Sequence, residues 1–262
     1  MQRLAPGTTQ FLAALAVTAA AVAAAFSIPV PAQALTITVT GDGGGQFISG
    51  SGKEVSVARK TGSFTVLRID SSLDVTAHQG SNPSVTVHAD DNIEPLIETV
   101  VDGDALVVRM KKNTSFRTNH KIVVDIEFAT LAATRQHGSG DLHIASVSGP
   151  RLESSIAGSG DLHIANAKLG SFSLSIAGSG DAILAGSADE ARFAVAGSGD
   201  VEATRFAVRR VNASISGSGD ARLNATESLD ARVAGSGDIR YAGHPRDVSR
   251  HVSGSGSVEA SD

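Results

Sequence analysis

The chain has 262 residues, a formal net charge of −5 and no cysteine, so disulfides cannot hold it together. A mildly acidic chain without a basic stripe excludes nucleic acid as an expected partner. Glycine is abundant at 28 residues, aromatics make up 4%, and Tyr241 is the single tyrosine beside no tryptophan, which predicts many tight turns and few large apolar anchors.

Residues 1–34 read as a secretory signal peptide. Arg3 is their only charged residue, the apolar run "FLAALAVTAAAVAAAF" spans Phe11 to Phe26, and Ala32-Gln33-Ala34 is an A-x-A cleavage pattern. The run is shorter than the roughly 20 apolar residues a membrane span needs. Membrane contact is therefore expected only through this segment during export, and no cysteine follows it to carry a lipid. "GDGGG" (Gly41 to Gly45) reads as a loop. "GSGK" (Gly50 to Lys53) lacks the strand-loop-helix unit with which a P-loop cradles phosphate.

Residues 35–137 are expected to form a β-rich N-terminal part. "SFTVLRI" (Ser63 to Ile69), "LDVTAHQG" (Leu73 to Gly80), "SVTVHAD" (Ser84 to Asp90), "ALVVRM" (Ala105 to Met110) and "KIVVDIEF" (Lys121 to Phe128) predict strands. "GSNP" at Gly80 and "VDGD" at Val101 are turn signals, the latter a hairpin candidate. "MKKNTSFRTNHK" (Met110 to Lys121) reads as an exposed basic loop. This part is expected to cover the open end of the repeats, as a small sheet or as irregular first coils, with the boundary between Ala129 and His137.

From there "GSGD" recurs at Gly138, Gly158, Gly178, Gly197, Gly217 and Gly235, and Gly254 opens a "GSGS". The steps are 20, 20, 19, 20, 18 and 19 residues, a fixed period that marks stacked repeats. Apolar residues alternate within each copy. Leu142/Ile144, Leu162/Ile164 and Ala182/Leu184 follow the tetrapeptide; Phe172/Leu174/Ile176, Val211/Ala213/Ile215 and Val248/Val252 precede the next. Period two means strands with one buried face. About 20 residues at ~3.3 Å each encircle an apolar core, and rungs stack at ~4.8 Å. The predicted fold is all-β: a right-handed single-stranded parallel β-helix over residues 138–262 with an irregular β-rich N-terminal cap.

The tetrapeptides are read as structural turns. Gly138, Gly158, Gly178, Gly197, Gly217, Gly235 and Gly254 should form one column. Their partners Gly140, Gly160, Gly180, Gly199, Gly219 and Gly237 belong to the same bends, and positive φ is expected at Gly180 too. Asp141, Asp161, Asp181, Asp200, Asp220 and Asp238 should form another column, ended by Ser257. Carboxylates spaced at ~4.8 Å repel unless they face backbone amides or attract cations. One acid per corner is a poor match to the six to eight oxygens calcium takes. His143 and His163 should superpose in an outward column continued by Ile183, Glu202, Arg222, Arg240 and Glu259. Ile183 interrupts it, so no third metal ligand follows. The expectation is no catalytic residue, no metal and no cofactor.

These corners, the upstream "VTAHQGSNPSVTVHADDNIEPLIETVVDGDALVVRM" and the closing "GSGDIRYAGHPRDVSRHVSGSGSV" resemble the putative auto-transporter adhesin family built on the head GIN domain. Tyr241, Gly243 and Pro245 belong to the most specific piece, and the resemblance runs from about Val55 to Val258. It implies a secreted or surface β-helical module and supplies no functional residue to carry over. A complete auto-transporter ends in a membrane barrel; none follows Asp262, so self-secretion is not expected. The functional expectation is an exported, non-enzymatic, adhesin-like module in the periplasm, at the cell surface or outside the cell, with an envelope, surface or glycan ligand. The alternative is a carbohydrate-binding or carbohydrate-active β-helix.

Overall fold

The computed structural model describes residues 46–261, so the expected signal peptide and the Gly41 to Gly45 loop lie outside the described residues. In chain order the first part contributes β1 (Gln46–Ser49), β2 (Glu54–Arg59), β3 (Val66–Asp70), β4 (Asp74–Gln79) and β5 (Ser84–Asp90). After the 3-10 turn Glu94–Leu96 come β6 (Ile97–Asp102), β7 (Ala105–Met110), β8 (Thr114–Arg117) and β9 (Val123–Phe128). The repeats contribute β10 (Ala133–Gly138), β11 (Leu142–Ile144), β12 (Val147–Gly158), β13 (Leu162–Gly178), β14 (Ala182–Gly197) and β15 (Val201–Gly217). The last are β16 (Ala221–Gly235), β17 (Ile239–Ala242), β18 (Asp247–Gly254) and β19 (Val258–Ala260).

The fold is a parallel β-helix. The long strands bend, so the part before each corner pairs in one ladder and the part after it in another. The first ladder runs β7–β3–β10–β12–β13–β14–β15–β16–β18, all parallel. The second runs β9–β4–β11–β13–β14–β15–β16–β17–β19, also parallel. Register superposes like on like: Leu142, Leu162, Ala182, Val201, Ala221, Ile239 and Val258 lie in one column and are all buried. Each added rung satisfies its neighbour's backbone groups and extends one continuous apolar core from Phe64 to Val258.

Two further rungs come from the N-terminal part, and they enter out of chain order. The rung made by β3 and β4 lies between that of β7 and β9 on one side and that of β10 and β11 on the other. Antiparallel strands then cover this end: β6 on β7, β5 on β9 and β2 on β5. The Asp-Gly signal forms the β6–β7 hairpin, with Gly103 at φ +63°.

The structure corrects three expectations. The segment from Met110 to Lys121 is not only a loop: it carries β8, which pairs in parallel with β1. Val248 and Val252 hold the register of buried Leu229 and Val233 but stay 37% and 46% exposed, because no rung covers them among the described residues. Gly180 does not adopt positive φ; its role is taken up with the corners below.

Candidate functional site

The corners show what each letter of the tetrapeptide does. The leading glycines, Gly138 through Gly254, have φ between +127° and +143°, a region closed to most side chains. A Cβ placed on Gly197 would lie 2.1 Å from the Gly178 carbonyl oxygen, so the stack itself also forbids a side chain. The second glycines have ordinary φ. A Cβ on Gly180 would lie 2.2 Å from the Gly160 carbonyl oxygen. Close backbone approach between rungs is thus the reason for Gly180, rather than the positive φ expected of it.

The aspartates face amides. The N–H of Asp161 donates to Asp141 Oδ1 at 3.0 Å, that of Asp181 to Asp161 at 2.8 Å, and that of Asp200 to Asp181 at 2.8 Å. Asp220 and Asp238 continue the ladder on Asp200 and Asp220 at 2.7 and 2.8 Å. Ser257 closes it, donating both its N–H and its hydroxyl to Asp238 Oδ1 at 2.9 Å. The ladder also begins one rung earlier than the repeat, since the Asp141 N–H reaches Asp74 Oδ1 at 3.3 Å. Its ends carry cations: Lys121 Nζ is 3.1 Å from Asp74 Oδ2, and Arg240 Nη2 is 3.2 Å from Asp238 Oδ2. A charge-assisted bond to each carboxylate offsets the repulsion of stacking like charges.

Beside this ladder His143 and His163 do superpose, with Nδ1 to Nδ1 at 2.9 Å and ring centroids 4.6 Å apart. One ring must donate and the other accept, so the bond excludes a doubly protonated pair. Burial, then the charges of His143 and Arg205, hold the His163 pKa below its ordinary value. The pair shares a cavity of about 310 Å³ with Asp74, Asp141, Asp161 and Lys121. Among the described residues no three ligating side chains converge on a metal position.

Two clusters on the N-terminal strands carried no sequence signal, because their members come from distant segments. Ser56 Oγ lies 2.8 Å from His88 Nδ1, and His88 Nε2 lies 2.8 Å from Asp125 Oδ2. Thr76 donates to the other oxygen of Asp125. The relay crosses β2, β5, β9 and β4 on the outward face and orients the imidazole toward an exposed serine. The second cluster is Asp90, 1% exposed, which accepts from Thr118 Oγ1 at 2.6 Å and bonds His120 Nδ1. Burial acts to raise the Asp90 pKa, but the bonds from Thr118 and His120 and the His120 charge outweigh it and hold the carboxyl below its ordinary value. The bond to Asp90 correspondingly raises His120.

A groove of about 920 Å³ lies on the outer face of the first ladder, crossing the rungs from β12 to β18. One column along it reads Arg151, Ser171, Glu190, Arg210, Ser228, Asp247; the next reads Ser173, Arg192, Asn212, Asp230, Ser249. Arg210 is tied to Glu190 at 2.6 Å, and Asp230 holds both Arg232 at 2.7 Å and Asn212 at 3.3 Å. Arg192 and Arg246, by contrast, form no ion pair among the described residues. The groove can therefore offer free guanidinium, hydroxyl and amide groups at rung intervals along a line.

Stacked parallel rungs define the class of the molecule: a β-solenoid. Residues 63–245 match the family described as putative auto-transporter adhesin, head GIN domain, and the chain belongs to that family. Among solved structures it is similar to a putative adhesin from Bacteroides fragilis, at 28% identity and a TM-score of 0.79, over 82% of this chain and 100% of that one. It is also similar to a putative lipid binding protein from Parabacteroides distasonis, at 26% identity and a TM-score of 0.68, over 83% and 100% of the two chains. A putative adhesin from Parabacteroides merdae shares the fold at 24% identity and a TM-score of 0.62, over 82% and 99%. No curated protein matches the chain. None of the helices among the described residues is long and apolar enough to cross a membrane.

Proposed function

We propose that this chain is an exported, non-enzymatic, adhesin-like module that holds an extended ligand along the groove from β12 to β18. The observation that carries the reading is the direction of the groove. It crosses successive rungs, so it repeats its polar groups along the solenoid axis as a linear polymer repeats its own. Membership of the putative auto-transporter adhesin family and likeness to a putative adhesin from Bacteroides fragilis support a surface role.

A glycan is the favoured ligand chemistry. Ser171, Ser173, Asn212 and Ser228 present the hydroxyl and amide groups that pair with sugar hydroxyls, and Arg192 adds an unpaired guanidinium for an acidic sugar. Lipid, the ligand in the name of the putative lipid binding protein from Parabacteroides distasonis, would use the apolar residues Phe172, Ala191, Val211, Leu229 and Val248 that also line the groove; the two polar columns beside them are what favours a glycan.

The test is a glycan array on the full chain, followed by titration of Arg192→Ala and Asn212→Ala variants. Saturable binding weakened by both changes is expected. Binding that both variants retain would remove the groove from the proposal. The same preparations are screened for hydrolysis and lyase cleavage, and turnover lost in Ser56→Ala or His143→Ala would overturn the non-enzymatic reading.

A further inference from the structure

The two ends of the first ladder are both open edges. Among the described residues, β6 pairs only with β7, and β18 pairs only with β16. Each presents backbone donors and acceptors that a further strand can use, although at the start of β6 the Ile97 carbonyl already accepts from Arg59 Nη1 at 2.6 Å, so the free part of that edge is the half carrying Val100 to Asp102. The exposed apolar side chains gather at the same two places. Six large hydrophobics are exposed among the described residues, and four of them are Val100 and Val101 on β6 and Val248 and Val252 on β18. Concentration at two strand edges, rather than scatter, is what distinguishes a docking surface from ordinary surface apolar residues.

The two edges are also opposite in charge. On and beside β18 stand Arg246, Asp247 and Arg250, none of which forms an ion pair among the described residues, so this edge is net positive by one charge. Arg250 occupies the register of buried Ala231, lies over the Tyr241 ring at 5.2 Å and donates to its hydroxyl, so its charge is held at the end of the core. On and beside β6 stand Asp102 and Asp104, which pair with no cation among the described residues, while Glu98 is engaged by Arg109 at 2.8 Å. A lone edge of this kind with an inward arginine resists pairing with a copy of itself, since two Arg250 side chains would then approach.

We propose that the partner of each edge is the opposite edge of a second copy of this chain. The β18 edge of one molecule docks on the β6 edge of the next, antiparallel because β6 runs against its ladder, with Arg246 and Arg250 facing Asp102 and Asp104. The contact is heterologous: each molecule keeps one free end of each kind, so association continues into linear arrays rather than stopping at dimers.

Sedimentation velocity on the full chain over a concentration series tests this. The wild type forms species beyond the dimer as concentration rises, and added salt reverses the association because exposed charges contribute to it. Val101→Lys and Val252→Lys, each alone, remain monomeric. An equimolar mixture of the two forms dimers and nothing larger, since one variant supplies an intact β18 edge and the other an intact β6 edge; this rescue also shows that both variants are folded. A monomeric wild type at all concentrations, including one whose edges are taken by a different protein, overturns the proposal. So does a variant that still dimerises by itself, which would mean that like ends meet.

Discussion

The rung made by β3 and β4 and the rungs made by the repeats occupy the same two ladders, yet they turn their corners differently. The first turns on Ser71-Ser72-Leu73-Asp74, the others on Gly-Ser-Gly-Asp or, at the last corner, Gly-Ser-Gly-Ser. A Cβ on Gly158 would strike the Gly138 carbonyl oxygen at 2.1 Å, and one on Gly138 would strike that of Ser71 at 2.5 Å. Each glycine therefore answers to the turn beneath it. Beneath Ser71 the chain between β7 and β9 makes a longer connection carrying β8 instead of the same turn, so side chains are tolerated. Each aspartate answers to the turn above it, whose amide it accepts. The glycine column accordingly lacks its lowest member, and the aspartate column lacks its highest, where Ser257 donates and no described amide asks for an acceptor. One tetrapeptide thus combines two requirements that point in opposite directions along the stack.

The comparison is broken most severely by a side chain in the glycine column. Gly197→Ala combines positive φ with a contact of 2.1 Å to backbone, and is expected to lose about 3 kcal/mol or more of stability. Ser71→Ala in the equivalent place should change the unfolding free energy, read from denaturant titration, by no more than about 0.5 kcal/mol. Equal effects at the two positions would refute the dependence on the turn beneath.

A smaller effect separates the aspartate's bond from its charge. Asp181→Ala removes the acceptor for the Asp200 amide and should cost roughly 1 kcal/mol. Asp181→Asn keeps an acceptor and relieves repulsion from Asp161 and Asp200, so its unfolding midpoint at low salt should lie above that of the alanine variant. An asparagine variant no better than alanine would show that the charge itself is needed.

The smallest effect is local and pH-dependent. His120, with its pKa raised by Asp90, contributes stability that is full below its ordinary value of 6.5 and is lost as pH rises through the raised value. Asp90, with its pKa lowered, contributes stability that is full above its ordinary value of 3.8 and is lost as pH falls through the lowered value. The clasp that pins the Thr118 to His120 segment against β5 is therefore tightest between about 3.8 and 6.5. Hydrogen exchange of the β1 and β8 amides, corrected for intrinsic rates, should be slower at pH 5.5 than at pH 8.5. His120→Ala should remove that difference.

Much of this architecture was readable before any coordinates. Ser84–Asp90 and Ala105–Met110 were bounded correctly because each is a short β-rich run set between turn signals. The segment Glu54–Arg59 is not predicted as a strand from its short run, with Val55 and Val57 as its only branched apolar residues, and in the fold none of its residues is fully buried. The groove was illegible for a related reason: Arg192, Asn212 and Asp230 are ordinary surface residues until register sets them in one line. The same holds for Ser56, His88 and Asp125, which only the pairing of β2, β5 and β9 brings together.

The sequence by itself determined the rungs, their corners and their inward columns, because a repeated segment meets copies of itself and period-two alternation follows from backbone geometry alone. Tertiary structure decided the rest: that the β3–β4 rung slips in out of order, that each carboxylate accepts from the amide of the next turn, and that β6 and β18 each keep one unpaired side among the described residues. Those outcomes depend on pairings between unlike segments, and such pairings are selected by packing and hydrogen bonding across space, for which a single sequence keeps no local record.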